Sequence, residues 1–277
     1  MRNLIPLVLF FGFFGSYAQP LKVMTYNIRY DNAGDGVNAW PFRIEKVTAL
    51  VRKYNPDIIG VQEALYHQLE DLVRVLPDYS YVGVGRDDGN VKGEFSAILF
   101  RNSRFGLMSD STFWLSETPN VPGSKSWDAA ITRLVTKAKF FDKELKTDFI
   151  VFNTHFDHIG KEARLNSGAL IAGAVASSRA KAEIPVLVTG DFNCERSEEA
   201  YRNVTIKDLV DTKPANDSTG TFCGFEVGKM ECRAIDYIFH TKEWLLKNYS
   251  VITDNDGKHY PSDHLPVMTE FELSLVK

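Results

Sequence analysis

Cysteine is scarce: the 277 residues hold three, Cys194, Cys223 and Cys232. That excludes a disulfide-dense scaffold, and their spacing matches no zinc site. Positive charge is not in excess either, with Lys+Arg 32 against Asp+Glu 36, a net charge of -4 and a pI of about 5.9. A protein that lives on nonspecific duplex binding is usually basic, so duplex DNA is disfavoured as an obligatory partner. Beyond the first residues, no apolar stretch approaches membrane-spanning length. Repeats, low-complexity tracts and Pro/Ser linkers are missing, which argues against solenoids, disordered tails and a string of modules.

What is present is ordinary globular usage: 44% hydrophobic, 25% charged and 12% aromatic residues, enough to fill a substantial core. Residues 1–18 read as a signal peptide, with Arg2 in the basic region, an apolar run from Leu4 to Phe14, and Ser16-Tyr17-Ala18 before a mature N-terminus at Gln19. The expected mature unit is a single domain, 19–277, exported to the periplasm or medium, monomeric, and without a stable protein partner. In an oxidising compartment Cys223 and Cys232, which bracket a Gly-rich segment, could staple a loop and leave Cys194 free; equally, all three could be unpaired.

Apolar strands alternate with amphipathic helices. Strands are expected at Leu21–Asn27, Asp57–Glu63, Tyr81–Val84, Phe95–Arg101, Phe105–Phe113, Ile131–Phe141, Asp148–Thr154, Val186–Thr189, Ala234–Phe239, Tyr249–Thr253 and Val267–Leu273. Helices are expected at Arg43–Tyr54, Tyr66–Leu76, Glu162–Ala182 and Ser197–Val204. The mixed order, with many antiparallel neighbours, argues for sheets packed face to face with helices outside.

Polar residues stand where these strands end: Asn27, Glu63, His155, Asp191 with Asn193 two residues on, and Asp263-His264 opening the last strand. Asp236 lies inside the apolar run 234–238 and needs a partner, for which His264 is the candidate. Alone, each is more simply a cap, a turn or a satisfied structural histidine. Together they imply one polar pocket at one edge of the sheets.

The ordered set Tyr-Asn-Ile-Arg (26–29), Gln-Glu (62–63), Asn-Thr-His (153–155), Gly-Asp-Phe-Asn (190–193), Ile-Asp-Tyr-Ile (235–238) and Ser-Asp-His (262–264) resembles the endonuclease/exonuclease/phosphatase superfamily. The resemblance implies an α/β four-layer sandwich, two mixed β-sheets flanked by helices, and Mg²⁺- or Mn²⁺-dependent phosphoester hydrolysis. It implies metal-holding roles for Glu63 and Asp263 with support from Asn27, water activation by Asp191, orientation by Asn193, and hydrogen bonds to phosphate from His155 and His264, the latter held by Asp236. Arg29 resembles the deoxyribonuclease branch, where an arginine contacts phosphate. The reading is a phosphodiesterase or endonuclease-like enzyme; sphingomyelinase-like, sugar-phosphate and inositol-phosphate hydrolysis are the alternatives. The substrate is thus a nucleic acid, a phospholipid head group or a phosphorylated sugar.

Several further blocks resemble an exported bacterial subgroup, among them Phe113–Pro119, Gly85–Gly89 and Ser126–Ala129. On that basis Trp127, Arg133, Asp157 and His158 are candidate substrate contacts; core burial is the rival reading for the tryptophans, and capping of the following helix the rival for Asp157 and His158. His155-x-Asp157-His158 also resembles a di-zinc hydrolase motif, but Asn153 stands where that motif needs a histidine. A catalytically dead binding protein would be expected to lose acids that are all present here.

Overall fold

A computed structural model describes residues 19–206 and 208–274 of the chain; the expected signal peptide, 1–18, lies outside the described residues. The strands are β1 (Leu21–Asn27), β2 (Ile58–Gln62), β3 (Tyr79–Val82), β4 (Ile98–Arg101), β5 (Phe105–Trp114), β6 (Leu134–Asp142), β7 (Thr147–His155), β8 (Val186–Asp191), β9 (Val210–Asp211), β10 (Asp236–His240), β11 (Trp244–Val251) and β12 (Val267–Leu273). The helices are α1 (Trp40–Tyr54), α2 (Tyr66–Val75), α3 (Lys161–Arg179) and α4 (Glu199–Thr205), with a 3₁₀ segment at Ala33–Asn38. Among these residues no helix is long and apolar enough to cross a membrane.

The strands make two six-stranded mixed sheets, ordered β11-β12-β1-β2-β4-β3 and β5-β6-β7-β8-β10-β9. Three apolar clusters define four layers. One holds Val47, Leu50 and Leu69 of α1 and α2 against Met24, Ile59 and Leu99 of the first sheet. A second lies between the sheets and includes Val23, Ile58, Phe140, Phe149, Ile238 and Phe271. The third packs Ile171, Val175 and Val204 of α3 and α4 on Phe152, Val188 and Phe239. Side chains alternate along each central strand, so one face meets helices and the other meets the opposite sheet.

Toward one edge the layer between the sheets turns polar. Gln62 Nε2 donates to Asn153 Oδ1 at 2.7 Å, Thr189 Oγ1 donates to the same oxygen at 3.0 Å, and Asn153 Nδ2 donates to the Val61 and Ala97 carbonyls, each at 2.8 Å. The sheets can approach there because residue 60 is glycine: a Cβ would stand 2.2 Å from Thr189 Oγ1 and 2.6 Å from Asn153 Oδ1. Gln62 and Asn153, both in the sequence blocks, therefore brace the two sheets.

The elements depart from expectation at ends and edges. The strand expected from Ile131 begins at Leu134, because the Ile131 N–H donates to the Asp157 carboxylate at 3.1 Å rather than to a neighbouring strand. β11 starts five residues early, at Trp244; a bulge between Leu246 and Asn248 breaks the alternation that would have revealed it. The two-residue β9 and the 3₁₀ segment carry no periodic signal. Cys223 and Cys232 form a disulfide and Cys194 is free and buried, which decides the pairing the sequence left open.

Candidate active site

Strand register assembles the site. In the second sheet Asp191, ending β8, is the register partner of His155 on parallel β7 and of Asp236 on antiparallel β10. In the first, Asn27 at the end of β1 pairs with Gln62, one residue before Glu63. The Ser262 hydroxyl donates to the Asn27 carbonyl at 2.7 Å and ties Asp263 and His264 to the same edge. The amide of Asn27 then joins the sheets, its Nδ2 lying 3.1 Å from Glu63 Oε1, 3.0 Å from Asp191 Oδ2 and 3.5 Å from His264 Nε2. Its Oδ1 accepts from the Arg29 N–H at 3.0 Å, which sets the amide's orientation.

Three of these residues sit on left-handed backbone: Arg29 (φ 58), Glu63 (φ 62) and Asn193 (φ 46). Such conformations cost energy in non-glycine residues and persist where surrounding contacts over-determine them. Here an Asn193 N–H to Asp191 Oδ1 bond at 2.9 Å and a Tyr30 N–H to Glu63 Oε2 bond at 3.2 Å supply such contacts.

The electrostatics are uneven. His264 Nδ1 lies 2.9 Å from Asp236 Oδ2, and Nε2 is 3.7 Å from Asp191 Oδ2. Burial alone would lower the His264 pKa, but Asp236 and Asp191 raise it to about 10, so the imidazole is cationic at neutral pH. Burial, then Asp236, pushes the Asp191 carboxyl up to about 7 against the pull of His264. Burial also raises Asp263. His155 goes the other way: burial and the nearby Arg133 hold its pKa well below the ordinary value. Its Nε2 lies 3.0 Å from Asn193 Nδ2 and 3.3 Å from Asp191 Oδ2, while Nδ1 is buried without a partner.

A cavity of about 420 Å³ opens over this edge, lined by Arg29, Glu63, His155, Asp191, Asn193, Asp263 and His264 among others. Arg133 and His158, two of the candidate substrate contacts, line it too. Asn27 and Asp236 lie beneath, within hydrogen-bond reach of its lining residues. Arg29 is not a free phosphate ligand: it forms two hydrogen bonds to Asp35, at 3.1 and 3.2 Å, and stands 3.7 Å from Glu63 and 3.9 Å from Asp263.

Two expected substrate contacts fall outside. Asp157 is buried, and its two oxygens accept four backbone N–H groups, from Ala130, Ile131, Ile159 and Gly160. It fastens the loop before β6 to the approach to α3. Trp127 lines a different groove, beside Phe113, Lys137 and Leu170. Trp114 is core, 4% exposed, with Nε1 donating to the Arg86 carbonyl at 2.7 Å. Conversely, Glu94, Phe222 and Arg233 line the cavity although no motif marked them. The Phe222 ring packs against His264, with centroids 4.9 Å apart and the ring planes tilted by 49°. Its position beside Cys223 was the one available signal, once the disulfide ties that loop.

Two packed six-stranded sheets with helices outside, and an acid–imidazole cluster bridged by one amide, define a deoxyribonuclease-like class of protein. A profile of the Endonuclease/Exonuclease/phosphatase family matches residues 24–264, and the chain belongs to that family, whose members are phosphoester hydrolases. The solved structure of a mannosyl-6-phosphatase from Bacteroides thetaiotaomicron is similar at 37% identity and a TM-score of 0.87, over 91% of this chain and 100% of that one. An uncharacterized mimivirus protein is 26% identical over 274 residues, covering 91% of this chain and all of its own length. Rat Nocturnin is 24% identical over 293 residues, covering 92% of this chain and 66% of that protein.

Proposed function

We propose that this protein hydrolyses a small phosphoester with the help of Mg²⁺ or Mn²⁺, and that its substrate is a phosphorylated sugar. The carrying observation is the Asn27 amide, which bridges Glu63 and Asp191 at 3.1 and 3.0 Å beside the His264–Asp236 pair. The reaction needs cationic neutralisation of phosphoryl oxygens, a base for water, and donors for the developing charge, and this cluster holds groups suited to each.

The residues fit a hard divalent ion. Glu63 and Asp263 offer carboxylate oxygens at the cavity wall, with side chains 14% and 13% exposed. The upward shifts of Asp191 and Asp263 mark acids crowded into a buried place, a condition that a cation relieves. Asp191, Asp236 and His264 also have ligand atoms within 4.8 Å of one another, but an ion there would displace the 2.9 Å hydrogen bond between Asp236 and His264. We therefore assign the ion to Glu63 and Asp263, supported by Asn27. When bound, it supplies charge neutralisation to the phosphoryl group.

Asp191 takes the proton of the attacking water, which Asn193 orients; as the water oxygen bonds to phosphorus the ester P–O bond breaks, and the proton taken by Asp191 is returned to the departing sugar oxygen. His264, held cationic by Asp236, donates to a phosphoryl oxygen. Arg133 and His155 complete the donor set around the cavity. The mannosyl-6-phosphatase neighbour supports a sugar phosphate as substrate. The nuclease reading draws on Arg29, yet that guanidinium is engaged by three carboxylates, and the overall charge is negative. The leader and the Cys223–Cys232 disulfide support export to an oxidising compartment.

The test is hydrolysis of mannose 6-phosphate, supercoiled plasmid and sphingomyelin, each with Mg²⁺ and with EDTA. Phosphate release from the sugar phosphate in Mg²⁺ but not in EDTA is the expected result. Plasmid nicking without sugar-phosphate turnover would move the assignment to a nuclease, and no turnover of any substrate would overturn the hydrolase reading.

A further inference from the structure

The cavity has a second end, around Glu94 and Arg133, where Glu94 has no hydrolytic role and Arg133 is only a peripheral donor. Across the second sheet the edge residues run Asp236 (β10), Asp191 (β8), His155 (β7), then Arg133, just before β6; the strands are adjacent in that order. Across the first they run Asp263 and His264 before β12, Asn27 (β1), Glu63 after β2, then Glu94, four residues before β4. Glu94 and Arg133 thus face each other across the two sheets, at the end away from the Asp236–His264 pair. The bridge between Ala64 and Phe95, with the Phe95 N–H donating to the Ala64 carbonyl at 2.8 Å, holds Glu94 beside Glu63.

This end carries both signs and is poorly satisfied. Glu94 Oε2 accepts from Arg86 at 2.6 Å and lies 3.9 Å from Arg133 Nη1, whereas Oε1 has no protein hydrogen bond among the described residues. Burial raises the Glu94 pKa against the pull of Arg86. The guanidinium of Arg133, a residue 5% exposed, has one hydrogen-bond partner among the described residues, His158 Nδ1 at 3.4 Å, and its Nε is buried without a partner. A buried guanidinium that leaves most of its donors unmatched, facing a cavity, calls for a ligand to complete it.

The sign pattern selects that ligand. A second phosphate, as in a polynucleotide, would meet the Glu94 carboxylate. An alkyl tail would leave Glu94 Oε1 and most of the Arg133 donors without hydrogen bonds. Hydroxyls satisfy both, donating to Glu94 and accepting from Arg133. Resting on the hydrolase reading above, we propose that Glu94 is the specificity-determining residue for the alcohol half of the substrate, accepting hydrogen bonds from the hydroxyls of a sugar or polyol while the phosphoryl group lies at the Asp191–His264 end.

The experiment compares wild type and Glu94→Gln on mannose 6-phosphate and on phenyl phosphate, which has no hydroxyl on its leaving group. The expected result is a fall in kcat/KM of at least about 10-fold on the sugar phosphate and less than about 3-fold on phenyl phosphate. An equal loss on both substrates would overturn the proposal, because Glu94 would then act through the phosphoryl end. Wild type inactive on both would overturn the sugar-phosphate reading above, and this one with it. A measurement on the unmodified protein covers a variant that does not fold: sugar phosphates lacking one hydroxyl at a time. At least one should lose about 10-fold in kcat/KM; a flat series would overturn the proposal.

Discussion

The two edges of this sandwich both bury ion clusters, and they are built in opposite ways. At the far edge Arg104, 3% exposed, donates to Asp57 at 2.8 Å, to Asp142 at 3.0 Å and to the Pro20 and Gln19 carbonyls, each at 3.2 Å. Asp57 also accepts from the Lys22 N–H at 2.9 Å, and Asp142 from Glu144 and Leu145 at 2.8 and 3.0 Å. Nearly every donor meets an acceptor. At the near edge Glu63, Asp191, Asp236 and Asp263 crowd around one amide and two imidazoles, and His155 Nδ1 and Asp236 Oδ1 are left without partners. The lesson concerns saturation: a closed cluster holds a fold together, whereas an open one with excess acid is poised for something that arrives from outside.

The contrast can be broken by mutation. Arg104→Ala should have the largest effect on the fold, destabilising it by about 3–5 kcal/mol because two buried carboxylates lose their partner; denaturant unfolding reads this, while kcat of the folded protein stays unchanged. Asp191→Asn should do the reverse, lowering turnover by at least about 10²-fold while the thermal midpoint holds or rises, since a buried acid is removed from beside Asp236. If both substitutions cost stability alike, the distinction between the clusters fails.

Smaller effects sharpen the picture. Asp236→Asn should lower kcat by about 10- to 100-fold, as His264 loses the carboxylate that orients it and keeps it charged; steady-state kinetics beside a circular-dichroism check of folding would read this. Asp157→Ala should cost about 1–2 kcal/mol, by analogy with lost helix caps, and leave KM unchanged. A raised KM would return Asp157 to the substrate site.

Much of this was legible in the chain. β1, β2, β7, β8 and β12 are apolar runs ending or beginning at the polar residues that make the site, so periodicity located both core and edge together. The same letters hid a division of labour. Gln62 and Asn153 brace the sheets, while Glu63 and His155, one and two residues further on, face the cavity; Glu63 leaves β2 on left-handed backbone, and His155 shares a face of β7 with Asn153 but stands at the strand's end, where the cavity opens. Proximity in sequence misled at Trp127, which stands near Arg133 in the chain but lines another groove. Asp157 resembled a ligand because it neighbours two histidines, yet its oxygens are filled by backbone N–H groups that only the folded loops bring to it. Glu94 gave no local sign, because pairing of Ala64 with Phe95 alone puts it beside Glu63.

The most direct measurement of the central claim is phosphoester turnover by protein stripped with EDTA and then titrated back with Mg²⁺ or Mn²⁺, over the same three substrates. The account predicts that cleavage vanishes on stripping and returns with the ion. Full turnover in EDTA, or none in either ion, would contradict it.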